Sequence, residues 1–98
     1  MKKYYTYITS NPGRTVLYTG ITNSLKRRLT EHFNNKGKKE TFAGRYRCYH
    51  LVYFEEYETP MEAINREKEI KNISREAKDE LIKTINPDLS PLNYLFLD

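Results

Sequence analysis

The segment KYYTYITSNPGRTVLYTGI, residues 3–21, contains the local pattern from which the fold of this chain is predicted. Residues 3–9 and 15–21 are mostly aromatic or β-branched, which is typical of β-strands, and Asn11-Pro12-Gly13-Arg14 between them is typical of a turn. We therefore predict a β-hairpin.

The register of the hairpin depends on its turn. If the hairpin is symmetric about Pro12-Gly13, the facing pairs are Tyr7 with Tyr18, Thr9 with Val16, and Tyr5 with Gly20. A wider loop stays open as an alternative, because trans Pro-Gly favours a type II turn, which fits a two-residue hairpin poorly.

Helix and strand signals follow the hairpin. Asn23 or Ser24 is suited to cap a helix over about 24–34, in which Leu25, Leu29 and Phe33 recur every four residues, and Gly37 is expected to close it. Residues 35–46 are expected to form a basic loop. Residues 47–54 are rich in Tyr, Val, Leu and Phe and are predicted to form a third strand.

The second half of the chain is predicted to be helical. Thr59-Pro60-Met61-Glu62 is a capping box with proline at the first helical position, which predicts a helix to about Asn72. Ser74 can cap a further helix, with Ala77, Leu81 and Ile85 on one line, until Asn86-Pro87 stops it. The predicted fold class is α+β: a three-stranded antiparallel sheet flanked by three helices, in the order β-β-α-β-α-α, forming a single domain over residues 1–98.

Charge, cysteine count and the distribution of apolar residues indicate the kind of partner and the location of the protein. The 98 residues carry a formal net charge of +4, which favours a polyanionic partner. The single cysteine, Cys48, cannot form an internal disulfide, and we expect no disulfide-linked partner. The polar N-terminal segment does not resemble a signal peptide, so we expect a cytoplasmic protein. No apolar run approaches the roughly 20 residues that span a bilayer, so we expect no membrane insertion.

Basic residues are concentrated between residues 27 and 47, and they are the candidate nucleic-acid contacts. A row of phosphate-binding side chains in this position would give salt-sensitive affinity without sequence preference. The residues are Arg27, Arg28, Lys36, Lys38, Lys39, Arg45 and Arg47.

Several side chains are candidates for phosphate chemistry. Arg28 and His32 are four residues apart on the first predicted helix, so they are neighbours that could grip a phosphate and move a proton, although a solvated helix face shows the same pattern. Glu67 interrupts an apolar stripe, so it either binds a hard cation such as Mg²⁺, pairs with Lys71 or Arg66, or lies at the edge of the buried face.

Tyr7 and Tyr18 are predicted to share one face of the hairpin. The pair is explained either by cross-strand aromatic packing or by phenol groups that orient a water or a phosphate.

Taken in order, Tyr5-Thr6-Tyr7, Tyr18-Thr19-Gly20, Arg28, His32 and Glu67 resemble the GIY-YIG nuclease superfamily. Residues 17–32 and 62–71 look more closely like its small stand-alone bacterial members, which are similar to the nuclease domain of the nucleotide-excision-repair incision subunit. The first triad has Tyr5 and Thr6 in place of Gly and Ile, and the second reads Tyr-Thr-Gly, so no catalytic side chain is lost. The resemblance implies the same sheet and helices as the residue patterns do.

The resemblance also implies a function. It implies a metal-dependent endonuclease that hydrolyses phosphodiester bonds in DNA, of the repair or recombination type and biased toward DNA structure. Mg²⁺ or Mn²⁺ would be held by Glu67, and Arg28 would stabilise charge on the phosphoryl oxygens. His32 would assist proton transfer, and of Tyr7 and Tyr18 one would help to activate water and the other would position phosphate. A further family asparagine corresponds to Asn93 or Asn86.

Two other functions stay open on the sequence alone. One is a non-catalytic DNA-binding module of the same fold, whose binding would not depend on metal or on Glu67. The other is a subunit whose basic loop binds an acidic surface of a partner protein.

Overall fold

The computed structural model describes residues 2–97 as a three-stranded antiparallel sheet with helices on both faces. The strands are β1 (Tyr4–Ser10), β2 (Leu17–Thr22) and β3 (His50–Tyr57), in the spatial order β2-β1-β3. The helices are α1 (Leu25–Asn34), α2 (Phe42–Arg45), α3 (Pro60–Lys71) and α4 (Arg75–Lys83), followed by a 3₁₀ turn at Asn93–Leu95. The predicted α+β class is confirmed, with the single-turn helix α2 as an addition. Within residues 2–97, no helix is long and apolar enough to cross a membrane.

The central strand β1 contributes to an apolar cluster on each face of the sheet. Its successive side chains point to opposite faces, so Tyr7 and Ile8 enter different clusters. Tyr7 packs in one cluster with Leu25 and Leu29 of α1. Ile8 packs in the other with residues of α3 and α4, Ile70 and Ile82. Helix α1 therefore covers one face and helices α3 and α4 cover the other.

The hairpin is wider than the symmetric prediction. Tyr7 pairs with Gly20, Thr9 with Tyr18, and Tyr5 with Thr22, so the predicted facing pairs are wrong by two residues. The alternative of a wider loop is correct, because the Asn11 side chain closes residues 11–16: its Oδ1 accepts the N–H groups of Thr15 and Val16 at 2.8 and 2.9 Å. Since side chains alternate along a strand, a shift of two residues keeps Tyr7 and Tyr18 on one face.

The predicted basic loop contains helix α2, and the predicted start of β3 is three residues too early. Thr41 caps α2 by accepting the N–H of Gly44, and Gly44 in turn accepts the N–H of Gly37 at 2.7 Å. Arg47 follows with a φ of 58°, which is a left-handed conformation and cannot continue a strand. Strand β3 therefore begins at His50 rather than at Arg47.

The predicted helix caps are correct, but the apolar faces predicted for two helices each include one residue that is exposed. Ser24 caps α1, and Thr59 with Glu62 forms the capping box of α3. Phe33 is 49% exposed, whereas His32 is buried. With 3.6 residues per turn, His32, seven residues after Leu25, lies about 20° from it around the helix, whereas Phe33, eight residues after it, lies about 80° away. His32 therefore shares the buried face of Leu25 and Phe33 does not. In the same way Ile85, beyond the end of α4, is exposed, and Ile82 is buried instead.

Asn86 and Asn93 bind main-chain groups at and around strand β3. The Asn93 Oδ1 accepts the N–H of Leu51 at 2.8 Å, and its Nδ2 donates to the carbonyl of Tyr49 at 2.9 Å. The buried Asn86 donates through Nδ2 to Val52 at 3.0 Å and to Ser90 at 2.8 Å. Both amides therefore fasten the C-terminal segment to β3, which gives each a structural role in this fold.

Replacing Asn93 with alanine is expected to lower the free energy of unfolding by roughly 1–3 kcal/mol, because the Leu51 N–H and the Tyr49 carbonyl lose their partner. Urea denaturation followed by circular dichroism measures this change. Asn65→Ala, at an exposed position of α3, is the control and should change stability by less than about 0.5 kcal/mol. Equal effects of the two substitutions would contradict this role for Asn93.

Candidate active site

The phenol of Tyr7 lies at the centre of a polar cluster between β1 and α1. Its side chain is buried, and its hydroxyl is 2.9 Å from Nε2 of His32 and 3.2 Å from Nε of Arg28. The four-residue spacing on α1 brings both groups to this one hydroxyl. The predicted neighbours Arg28 and His32 are thus brought together on Tyr7. His32 is 5% exposed, so the alternative of a solvated helix face is wrong for it.

Gly20 makes room for the Tyr7 phenol. It is the strand partner of Tyr7, and a Cβ atom at Gly20 would lie 2.7 Å from the Tyr7 hydroxyl oxygen and 2.8 Å from Cζ. Both distances are shorter than carbon contacts in folded proteins, so any larger residue would displace the ring. The glycine that ends the second motif triad therefore has a direct steric role.

Tyr18 and His32 complete the aromatic side of the cluster. The Tyr18 ring centroid is 6.3 Å from that of Tyr7 and 5.4 Å from that of His32. Tyr18 is only partly buried, in contrast to Tyr7. The two tyrosines predicted to share a site are therefore together, and Tyr18 is the one with a solvent-accessible surface.

The protonation states follow from burial and from the Arg28 charge. Burial raises the pKa of Tyr7 well above its ordinary value, although the bond from Arg28 opposes this. Burial, and then the charge of Arg28, lower the pKa of His32 to about 4. At neutral pH the phenol is therefore protonated and the imidazole neutral. If His32 carries its proton on Nδ1, Tyr7 donates to Nε2, and the other tautomer reverses that bond.

Arg28 is the permanent charge of the cluster. Burial acts to lower the pKa of Arg28. The hydrogen bonds to Tyr7 and Glu31, together with the nearby Tyr18, outweigh burial and raise this pKa above its ordinary value. Its Nη1 is 3.1 Å from Oε1 of Glu31, and about a third of its side chain is exposed. Arg28 is therefore a charged donor that a bound anion can reach.

Glu67 lies on α3, with 19% of its side chain exposed, and its carboxylate is 3.4 Å from Nζ of Lys71. The predicted alternative of a salt bridge is therefore correct for Lys71. It is not correct for Arg66, which binds Glu55 through Nε at 2.9 Å. The charge of Glu67 also raises the pKa of Tyr7, as the smallest of the causes.

Glu67 offers a single carboxylate, so a hard cation held there would take most of its ligands from water. In the part of the chain from residue 2 to residue 97, no three His, Cys, Asp or Glu side chains form a metal-binding group. A site with a single protein carboxylate does not suit zinc, which takes three or four protein ligands. It suits Mg²⁺, which is commonly bound by one or two carboxylates, waters and phosphate oxygens.

The basic residues predicted to contact nucleic acid differ in their local contacts. Arg27 donates to Oδ1 of Asn23 at 2.9 Å. Nζ of Lys36 lies 3.7 Å above the ring of Phe33, and Arg45 donates to the carbonyl of Lys39 at 3.3 Å. The residues of this group from 36 to 47 are exposed: Lys36, Lys38, Lys39, Arg45 and Arg47. The structure therefore places this positive charge on and around α2.

Phe42 is a neighbour of the cluster to which the sequence analysis gave no role. Its ring is stacked on that of Tyr18, with centroids 6.2 Å apart and an interplanar angle of 27°. Tyr46 follows on the same helix, with its centroid 4.7 Å from that of Phe42. The signal in the sequence was an aromatic pair four residues apart within the basic segment.

A comparison with known families identifies the class. The model of the GIY-YIG catalytic domain matches residues 3–80, which include all three strands and the polar cluster around Tyr7. The chain belongs to the GIY-YIG family.

Individual relatives are small proteins of matching length. UPF0213 protein SSP2268 of Staphylococcus saprophyticus is 40% identical over 82 residues, which cover 84% of this chain and 96% of that protein. A UPF0213 protein of Staphylococcus aureus is 40% identical over 83 residues, covering 85% and 98%. The solution NMR structure of UPF0213 protein BH0048 from Bacillus halodurans is similar with a TM-score of 0.55 and 29% identity, covering 98% of this chain and 99% of that one.

Replacing Gly20 with alanine is expected to reduce stability by roughly 1–3 kcal/mol, because the new methyl group overlaps the Tyr7 phenol. Urea denaturation measures the loss. Gly13→Ala is the matched control: a Cβ atom there would have its nearest neighbour at 3.8 Å, so that substitution should be tolerated. If Gly20→Ala were as stable as Gly13→Ala, the close contact would not be a constraint.

The stability of the protein is expected to fall between pH 7 and pH 5 because of His32. An unfolded chain binds a proton at this histidine near pH 6.5, whereas the folded chain does so only near pH 4. Acid therefore favours the unfolded state, by roughly 2 kcal/mol across that interval. The measurement is the free energy of unfolding at both pH values for the wild type and for His32→Gln. The wild type should lose more stability than the variant, and identical losses would show that His32 is not shielded.

Proposed function

We propose that this protein is a metal-dependent endonuclease that hydrolyses phosphodiester bonds in DNA. The observation that carries the proposal is the convergence of Arg28 and His32 on the Tyr7 hydroxyl, beside the partly exposed Tyr18, in a chain of the GIY-YIG family. These groups supply what phosphodiester hydrolysis needs from protein side chains: a fixed positive charge, a neutral base and hydroxyl donors.

Arg28 and Tyr18 are assigned to the substrate. The guanidinium of Arg28 is charged and reachable, so it binds the scissile phosphate and stabilises the negative charge that develops on its oxygens. Tyr18 is partly exposed next to it and donates its hydroxyl to the phosphate or to the attacking water. Both residues would touch reacting atoms and are therefore assigned as catalytic residues.

Tyr7 and His32 are assigned to proton transfer and positioning. The raised pKa of Tyr7 makes its phenolate an unfavourable base at neutral pH, so Tyr7 holds Arg28 and connects it to His32. His32 is neutral at that pH and can accept a proton at Nε2 through the Tyr7 hydroxyl. Nε2 receives the proton of the attacking water only as it passes on to the leaving oxygen, because a pKa near 4 does not let the imidazolium persist at neutral pH.

Glu67 is assigned as the protein ligand of Mg²⁺ or Mn²⁺. GIY-YIG nucleases generally use a divalent metal, and a single carboxylate with waters and phosphate oxygens suits these two ions. When bound, such an ion supplies polarisation of the phosphate and stabilisation of the leaving oxygen. The Lys71 ammonium group, now 3.4 Å from the carboxylate, would give up that contact.

The substrate is assigned as DNA because the chain belongs to the GIY-YIG family and its positive charge favours a polyanion. The exposed basic residues around α2 can bind the phosphate backbone, which gives affinity without reading a sequence. We therefore propose a preference for DNA structure, as in enzymes of repair or recombination.

Glu67→Gln is expected to lower metal-dependent cleavage by about 100-fold or more, because the amide is a much weaker ligand for a hard cation. The assay uses single-stranded, duplex, flap and four-way-junction DNA with Mg²⁺ or Mn²⁺. Glu69→Gln is the matched control, since Glu69 lies on the same helix but is mostly exposed, and its activity should be unchanged. Cleavage that survives both Glu67→Gln and a chelator would rule out this assignment.

A non-catalytic DNA-binding module is the second candidate. The observation that favours it is the ion pair of Glu67 with Lys71, which already neutralises the proposed metal ligand. This candidate requires DNA binding that is the same in the wild type and in Glu67→Gln, with no product from any substrate in the panel.

A further inference from the structure

Phe42 and Tyr46 form an exposed aromatic surface that continues outward from the polar cluster. The rings follow one another from the buried Tyr7 through His32 and Tyr18 to Phe42 and Tyr46, with neighbouring centroids between 4.7 and 6.2 Å apart. Phe42 is 50% exposed and Tyr46 is 43% exposed. The Phe42 ring is stacked on Tyr18 and has the tilted Tyr46 ring beside it, but half of Phe42 is exposed, which leaves ring surface open to a ligand.

Helix α2 holds these two rings in a fixed place. A Cβ atom at Gly44 would lie 2.6 Å from the carbonyl oxygen of Lys38 and 2.7 Å from that of Asn35, so the helix is packed tightly on the preceding loop. Ala43 is buried, and its carbonyl accepts the N–H of Cys48 at 2.8 Å. Phe42 and Tyr46 are therefore presented from a closely packed helical turn, and such an ordered support lowers the entropy cost of binding a planar ligand.

The charge of the segment that carries the two rings indicates the chemistry of that ligand. Residues 36–47 contain five basic side chains and one acidic side chain, Glu40, and all six are exposed. The basic ones are Lys36, Lys38, Lys39, Arg45 and Arg47. Exposed aromatic rings among basic groups match a ligand with flat apolar surfaces and negative charges, which describes unpaired nucleotides.

We propose that Phe42 and Tyr46 form a nucleobase-stacking site that holds an unpaired base next to the phosphate at Tyr18 and Arg28. This inference rests on the proposed function, because it places a nucleic acid at Tyr18. The base stacks on Phe42 while the surrounding lysines and arginines hold the flanking phosphates. Phe42 and Tyr46 are then specificity residues that select substrates in which a base can leave its stack.

The experiment uses a DNA duplex with a single-stranded arm that carries 2-aminopurine at successive positions, bound by the Glu67→Gln protein without turnover. Binding is expected to quench the fluorescence at one or two neighbouring positions, because stacking quenches this base analogue. Adding Phe42→Leu should remove the quenching and weaken binding about tenfold. Phe42→Tyr keeps an aromatic ring and should preserve both.

Phe33→Leu is the matched control. Phe33 is 49% exposed and lies beside Lys36, but its ring partner is Tyr49 and not Tyr18. It should leave quenching and affinity unchanged. Circular dichroism of each variant verifies the fold, which leucine at position 42 should preserve because it keeps an apolar contact with Tyr18.

The inference is overturned if Phe42→Leu binds and quenches as its parent does, or if Phe33→Leu loses as much. The outcomes also separate failure of the stacking site from failure of the proposed nuclease function. A protein that never cleaves but loses quenching in Phe42→Leu supports the stacking site and contradicts the nuclease. A protein that cleaves with metal while Phe42→Leu quenches normally supports the nuclease and overturns the stacking site.

Discussion

The hydroxyl group of Tyr7 reaches His32 and Arg28 because it lies against a strand residue that has no side chain. Gly20 is the strand partner of Tyr7, and a single added carbon there would meet the phenol at 2.7 Å. Because Tyr7 is also buried against Leu25 and Leu29, the ring can neither move outward nor rotate freely. The contact between Tyr7 and Gly20 therefore sets where the phenol lies against α1, which carries Arg28 and His32.

The same packing divides the site into a dry part and an accessible part. Tyr7 and His32 are buried, and burial keeps the phenol protonated and the imidazole neutral. Arg28 and Tyr18 are partly exposed, so a molecule in solution can reach them. The packing of one helix against one strand therefore gives both an imidazole shielded from water and a guanidinium that remains reachable.

Helix α2 gives the basic segment an ordered structure. Taken as a loop, residues 35–46 would be a flexible cationic strip that attracts any polyanion. Gly44, packed against the carbonyl groups of Asn35 and Lys38, makes it instead an ordered element that presents Phe42 beside Tyr18. Its charge and its aromatic surface are thus held in fixed positions relative to Arg28, which a flexible loop could not do.

The sequence by itself determined the elements whose signals are local. The Thr59–Glu62 capping box, the strands of the hairpin and the four-residue spacing of Arg28 and His32 all depend on residues close together in the chain, and the structure has each of them. Only the tertiary structure decided the register of the hairpin, because the Asn11 side chain sets the loop length, and the burial of His32, because α1 turns it toward Tyr7. The Asn11 bonds close a loop whose length the turn residues left open, and the bond between His32 and Tyr7 joins residues 25 apart in the chain, so neither outcome follows from a turn or helix signal alone.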